Sequence, residues 1–320
     1  MNSNKTISSF PSNETSEYQS PDSWVEPSPN WLVAIKEWKL LWHLHVYGFA
    51  TVFALIAFFA ITCIVVSRKA ILKKQRAHFA VMNSALVVTG FLRSLVLFWD
   101  PYASRENTSS SMVLFCIISW GIGTACITSS FSIVLLIFME TTKTSLGPAR
   151  LKNLPFLMSI TLSNILYLLL SDLVVWFHSE ARVMVFICHV TFATWGLVVS
   201  IGYSVAGTRM WRNLKASLDG TFFRRTIHQE SSRLNRLFTL MCCASFFGVI
   251  KFSLSPYTSV GEFGVFADTG YITESWHWFV VQSLLRTLES FLCIFIFLIV
   301  FKNRKGIAAN HNTPIADPLG

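Results

Sequence analysis

The sequence predicts an all-α fold: a polytopic bundle of seven transmembrane helices, with the N-terminus outside and the C-terminus in the cytosol. Three observations carry that expectation. The 320 residues are 52% hydrophobic and only 13% charged, against about 25% charged in an ordinary soluble domain. The mean hydropathy is +0.51, and 28 Phe with 11 Trp are too many to hide in one water-soluble core of this size. Seven stretches are long and apolar enough to cross a hydrocarbon core about 30 Å thick, which takes roughly 20 residues of helix.

These spans fall at 45–67, 78–99, 112–139, 153–177, 182–206, 237–255 and 276–301. The sixth is interrupted by Lys251 and is expected to close at Pro256. The orientation follows from Lys and Arg in the connections. One set of connections, together with the segment after the last span, holds eighteen of them, from Arg68 to Lys305, including Arg209, Arg212, Lys215, Arg224, Arg225, Arg233 and Arg236 in the longest loop. The alternate set holds Arg105, with Arg182 on its border. The formal net charge of +9 is therefore mostly topology, and no nucleic acid is needed to explain it.

Residues 1–30 read as a disordered extracellular tail, polar and rich in Ser, Asn, Pro and Glu. No apolar run precedes residue 31, so no cleavable signal peptide is expected and the first span serves as a signal anchor. The tail carries the glycosylation acceptors Asn4 and Asn13, in Asn4-Lys5-Thr6 and Asn13-Glu14-Thr15. Asn107 begins a third sequon but lies too close to the membrane to be used. Residues 31–44 place Trp31, Trp38 and Trp42 on one helical face. They read as an interfacial Trp-rich helix on the outer leaflet or a lengthening of the first span, with a lid over an outer pocket as the functional alternative. Residues 306–320 form a short cytosolic tail. The seven cysteines all lie within spans, which argues against a disulfide-stapled ectodomain; a Cys116–Cys188 bridge stays open as an alternative.

Ionisable groups at membrane depth cost several kcal/mol unless they face the bundle interior, pair or meet water. Arg93, Asp172, Lys251, Arg286 and Glu289 are such groups, His45 and His189 are weaker members, and Asp100 stands at a border. All lie in the outer half of the bundle or at mid-depth. Arg286 and Glu289, three apart on one helix, share a face and can pair. Three readings remain open: an ion-pair network that locks the helices, an outward water-filled cavity for a small polar or anionic ligand, and an ion or proton path. The small residues of Gly121–Ser130 mark the third span as central and tightly packed. The loop 207–236 could meet a G protein, another cytosolic effector or anionic lipid.

Nothing points to catalysis, a metal or a cofactor. The chain has no HExxH, no GxSxG, no Gly-rich phosphate loop and no metal-spaced cluster, so a non-enzymatic protein is expected. The rhodopsin-like receptor motifs are missing too: the third span ends in Phe138-Met139-Glu140-Thr141, and the seventh has no Asn-Pro-x-x-Tyr.

Three blocks carry a closer likeness: Trp42-His43-Leu44-His45-Val46-Tyr47-Gly48; Arg93 followed by Leu97-Phe98-Trp99-Asp100-Pro101-Tyr102; and the seventh-span run from Trp276 through Gln282 and Arg286 to Glu289. In these the chain resembles the membrane region of the proline-rich transmembrane proteins three and four, over residues 38 to 305. It departs from them in the stretch before the first span, which has only Pro11, Pro21, Pro27 and Pro29 where those proteins carry long proline-rich extensions. The resemblance implies a receptor-like topology and lends no ligand, activity or effector. It singles out Arg93, Asp100, Gln282, Arg286 and Glu289 as shared motif positions. With Asp172 and Lys251 these form the expected ligand-binding or bundle-locking set, in a multi-pass protein of the plasma membrane.

An outward tail exposes both sequons to glycosylation in the secretory route. Asn4→Gln and Asn13→Gln should each remove one glycan step on gels, and the double variant should co-migrate with enzymatically deglycosylated chain; an unshifted wild-type band would contradict the orientation.

Overall fold

The computed structural model describes residues 28–67, 73–105, 108–141, 154–178, 181–219, 224–260 and 273–311. Among these residues the protein is helical, with α1 at Trp31–Trp38, α2 at Leu40–Ser67, α3 at Lys73–Trp99, α4 at Ser110–Thr141, α5 at Leu154–Phe177, α6 at Arg182–Asp219, α7 at Arg224–Val260 and α8 at Ser275–His311. Seven of these, α2 to α8, contain stretches long and apolar enough to cross a membrane, from Leu40–Val66 to Ser275–Ile299. The expected glycosylation acceptors Asn4 and Asn13 lie outside the described residues, as does part of the basic loop at 220–223. The rest of that loop is helical, because α6 and α7 run on beyond their apolar stretches.

Helix ends follow from local chemistry. Asn30 caps α1, its side-chain oxygen accepting from the Val33 N–H at 3.4 Å. Pro101 disfavours helical geometry at the residue before it, and α3 stops at Trp99 with Asp100 at φ −145°. Ser109 Oγ accepts from the Met112 N–H at 3.3 Å at the start of α4. Pro155 sits in the first turn of α5, where a missing N–H costs nothing. Pro256 ends the apolar stretch of α7 as expected, while the helix itself runs on to Val260. Only one further turn follows it, so few backbone bonds are disturbed.

Consecutive helices pack side by side and α2 closes on α8, while α4 touches α3, α5, α6 and α8 and is the central helix. Its small residues allow this. Thr89 Oγ1 donates to the Gly123 carbonyl at 3.3 Å, Ser130 Oγ to the Met82 carbonyl at 3.4 Å, and the Ser129 and Thr161 hydroxyls lie 2.8 Å apart. Lower in the bundle Phe131 stacks on Tyr203 at 4.4 Å, and the Tyr203 hydroxyl donates to the Phe131 carbonyl at 2.8 Å. Leu55, Phe58, Phe59, Ile61 and Val65 of α2 face outward, which in a bilayer means toward lipid. All seven cysteines are free, Cys116 and Cys188 included.

The tryptophan helix is a separate short helix, one of the alternatives expected for residues 31–44, and the rest of that segment lengthens the first span. The short helix ends at Trp38, and Lys39, at φ 48°, turns the chain into α2, to which residues 40–44 belong. Trp31 and Trp38 are buried, packed on Trp278 at 4.9 and 5.8 Å, and Trp38 meets Phe279 at 5.0 Å. The start of α8 supplies the aromatic partners that bury these indoles.

Gly90 shows how close the first two spans lie: a Cβ there would stand 2.6 Å from the Phe53 carbonyl oxygen and 2.9 Å from Ala57 Cβ. Gly90→Ala should therefore destabilise the bundle by about 1–3 kcal/mol. Gly48→Ala in α2, where nothing lies within 4 Å, should be neutral or slightly stabilising; detergent-titration unfolding of both variants checks the contrast.

Candidate functional site: a shared carboxylate beneath an aromatic cover

Three cations from three helices converge on Glu289 of α8. Its Oε1 lies 3.1 Å from Arg93 Nη2 of α3 and 3.4 Å from Lys251 Nζ of α7, and its Oε2 lies 2.5 Å from Arg286 Nη1 on its own helix. All four side chains are buried, Glu289 to 2% exposure and Arg93 to 1%. The expected pairing of Arg286 with Glu289 is present, and the two cations from other helices join it.

Neutral groups complete the cluster. Arg93 Nη2 also donates to Thr124 Oγ1 at 2.9 Å, and Arg286 Nη2 to Gln282 Oε1 at 3.2 Å. The guanidinium carbons of Arg93 and Arg286 each lie 3.9 Å from the Trp120 ring centre, where the negative face of the indole attracts cations in a site screened from water. Gly123 makes the room: a Cβ there would stand 3.2 Å from Arg93 Cζ and Nε. Sequence reasoning passed over Trp120 and Thr124. The available signal was an indole at the head of the small-residue run of the third span, where a buried guanidinium needs a π face or an acceptor.

Trp120 connects the charges to the cover above. Tyr102 stacks on it at 5.3 Å and 10°, and meets Trp278 edge-on at 4.9 Å. Tyr102 holds a left-handed φ of 60°, which is strained for a bulky residue. Its side chain is pinned instead: the hydroxyl lies 2.9 Å from His45 Nε2, and His45 Nδ1 lies 2.8 Å from Ser283 Oγ. Burial pushes the Tyr102 phenol up, against the pull of Arg286 and Arg93, so it keeps its proton. Ser275 Oγ donates to the Glu37 carboxylate and ties α1 to α8.

Between the charges and this cover lies a cavity of about 200 Å³. Arg93, Trp120, Lys251 and Arg286 line it on the charged side, Asp172 and His189 on the α5 and α6 side, and Trp31 and Trp278 under the cover. Of the residues expected to act together, Arg93, Lys251, Gln282, Arg286 and Glu289 form one cluster, and Asp172 joins them at the cavity wall. Asp100 stands apart. Its Oδ2 accepts from Thr108 Oγ1 at 2.5 Å and its Oδ1 from the Arg105 N–H at 3.4 Å, because Pro101 has turned the chain away from α3 and left its carboxylate to organise the 100–108 connection. Among the described residues no group of three or more His, Cys, Asp or Glu is placed to hold a metal ion.

The fold and the cluster together define a seven-helix integral membrane protein with buried charges under an aromatic cover. A family model described as the Proline-rich transmembrane protein 3 domain matches residues 15–313; the chain belongs to that family. No curated protein and no solved structure matches it.

Glu289 is the one carboxylate that three cations share, so Glu289→Gln should leave them uncompensated. A loss of about 3–5 kcal/mol is expected, the range for breaking a buried pair from one side, read as earlier unfolding in a detergent titration and lower yield of folded chain.

Proposed function

We propose that the chain is a receptor-like, non-enzymatic membrane protein of the cell surface, with its N-terminus and its cavity toward the outside and its basic connections toward the cytosol. The distribution of Lys and Arg supports the orientation, and the sequons at Asn4 and Asn13 support the secretory route. The observation that carries the reading is the cavity itself: it adjoins a charge cluster drawn from α3, α7 and α8, so an occupant there touches three helices at once.

In mechanism, a ligand that draws on Arg93, Lys251 or Arg286 weakens their hold on Glu289. The α7–α8 and α3–α8 contacts then relax, and the far ends of α6 and α7, which carry Arg209, Arg212, Lys215 and Arg236, shift against a G protein or another cytosolic effector. The ligand acts only through a difference in affinity between the two bundle states. A second reading, a non-signalling scaffold whose charges merely lock the helices, draws support from the depth at which Arg93, Lys251 and Glu289 are buried.

Recruitment of a panel of G proteins in cells expressing the tagged chain separates the two, with surface level measured in parallel. The receptor reading expects basal recruitment that falls when the Arg and Lys of 209–236 are neutralised at equal surface level. It also expects Arg286→Met with Glu289→Leu to change recruitment per molecule at the surface, although Arg93 and Lys251 lose their counter-ion and the surface level falls. Good surface display with no recruitment in any variant favours the scaffold.

A further inference from the structure

Among the described residues, four buried donors on side chains around the cavity have no acceptor: Nε and Nη1 of Arg93, Nε of Arg286 and Nε1 of Trp120. Buried N–H groups without a partner cost about 1–3 kcal/mol each, more when charged, and native structures leave few of them. Here they belong to three side chains that line one space and touch one another through the Trp120 ring. Charge points the same way. Three cations meet one carboxylate in the cluster, and counting Asp172 on the opposite wall the ratio is still three to two. An excess cation screened from water draws an anion strongly.

The other walls are mixed: Ile117, Leu168, Val185 and Phe192 line the cavity beside Asp172 and His189. The volume, about 200 Å³, is far above the roughly 10–15 Å³ that one water requires, so the space suits a small organic molecule with one polar end. A dianion would overcompensate a cluster that already holds Glu289 and faces Asp172, whereas a single negative charge matches the surplus.

We infer that the cavity binds a small amphipathic monocarboxylate, its carboxylate drawn to the surplus positive charge of Arg93, Lys251 and Arg286 and its apolar body lying along Ile117, Leu168 and Phe192. This rests on the receptor-like reading for the existence of a ligand and adds the ligand's chemistry.

The test uses the full chain in lipid nanodiscs, which expose both faces, with thermal unfolding and tryptophan fluorescence as readouts. The probes are benzoate and hexanoate, their neutral amides, the matched amines benzylamine and hexylamine, and sodium chloride at equal ionic strength. Benzoate or hexanoate should raise the unfolding temperature saturably, with the amides at least about tenfold weaker, as loss of a charge-assisted contact implies. Arg286→Gln should abolish the shift, and so should Ile117→Trp, which fills the cavity without altering a charged residue and keeps the test decisive should Arg286→Gln fail to fold. Amides or amines binding as tightly as the carboxylates, and losing binding in Ile117→Trp, would overturn the carboxylate assignment while leaving the receptor pocket standing. Equal stabilisation by chloride would reduce the site to one for an inorganic anion and overturn it likewise. Failure of every probe on folded wild-type chain would overturn both.

Discussion

One carboxylate in the middle of an apolar bundle sets the terms for everything around it. Glu289 cannot stay charged at that depth without partners, and Arg93, Lys251 and Arg286 cannot stay charged without it. Because the partners come from α3, α7 and α8, meeting that need fixes the register of three helices relative to one another. Packing between apolar helices in lipid specifies register weakly, since lipid tails are as apolar as the side chains they would replace. The ion pairs supply the specificity, and the small residues of α4 let the central helix come close enough for Trp120 and Thr124 to complete the set.

The aromatic cover is coupled to this core through two contacts. Tyr102 lies flat on Trp120 and reaches His45, which in turn reaches Ser283 of α8. Trp278 belongs to the same helix as Glu289, and Trp31 and Trp38 rest on it. A displacement of the first turns of α8 therefore moves cover and carboxylate together. The left-handed backbone at Lys39, Tyr102 and Ala103 falls at the seams of this cover, where the fold tolerates strain because tertiary contacts over-determine the geometry.

Much of this was legible in the sequence. The seven spans follow from length and hydropathy, which report directly on the bilayer as solvent. The charged residues at membrane depth announce themselves, since lipid admits them only for a reason. Glu289 and Arg286 share a helix face by spacing alone. What the sequence withheld is what depends on distance between helices. Nothing in the linear pattern says that Arg93 of α3 and Lys251 of α7 meet the same carboxylate, or that Asp100, only seven residues beyond Arg93, is carried off by Pro101 to organise a loop. The fate of Trp31 and Trp38 was ambiguous for the same reason. Indoles at helical spacing suit a membrane interface and a protein cover equally, and only the aromatic start of α8 decides between them.

A double-mutant cycle on Arg93 and Glu289 tests the shared carboxylate most directly, by unfolding Arg93→Met, Glu289→Leu and the combined variant in detergent titrations. If Glu289 is the anchor of Arg93, then Arg93→Met destabilises the wild-type chain but is neutral or stabilising once Glu289 is Leu, where it removes an uncompensated cation. The coupling expected for such neighbours is about 1–3 kcal/mol. Equal losses from Arg93→Met in both backgrounds would show that the two residues act independently and would contradict the account.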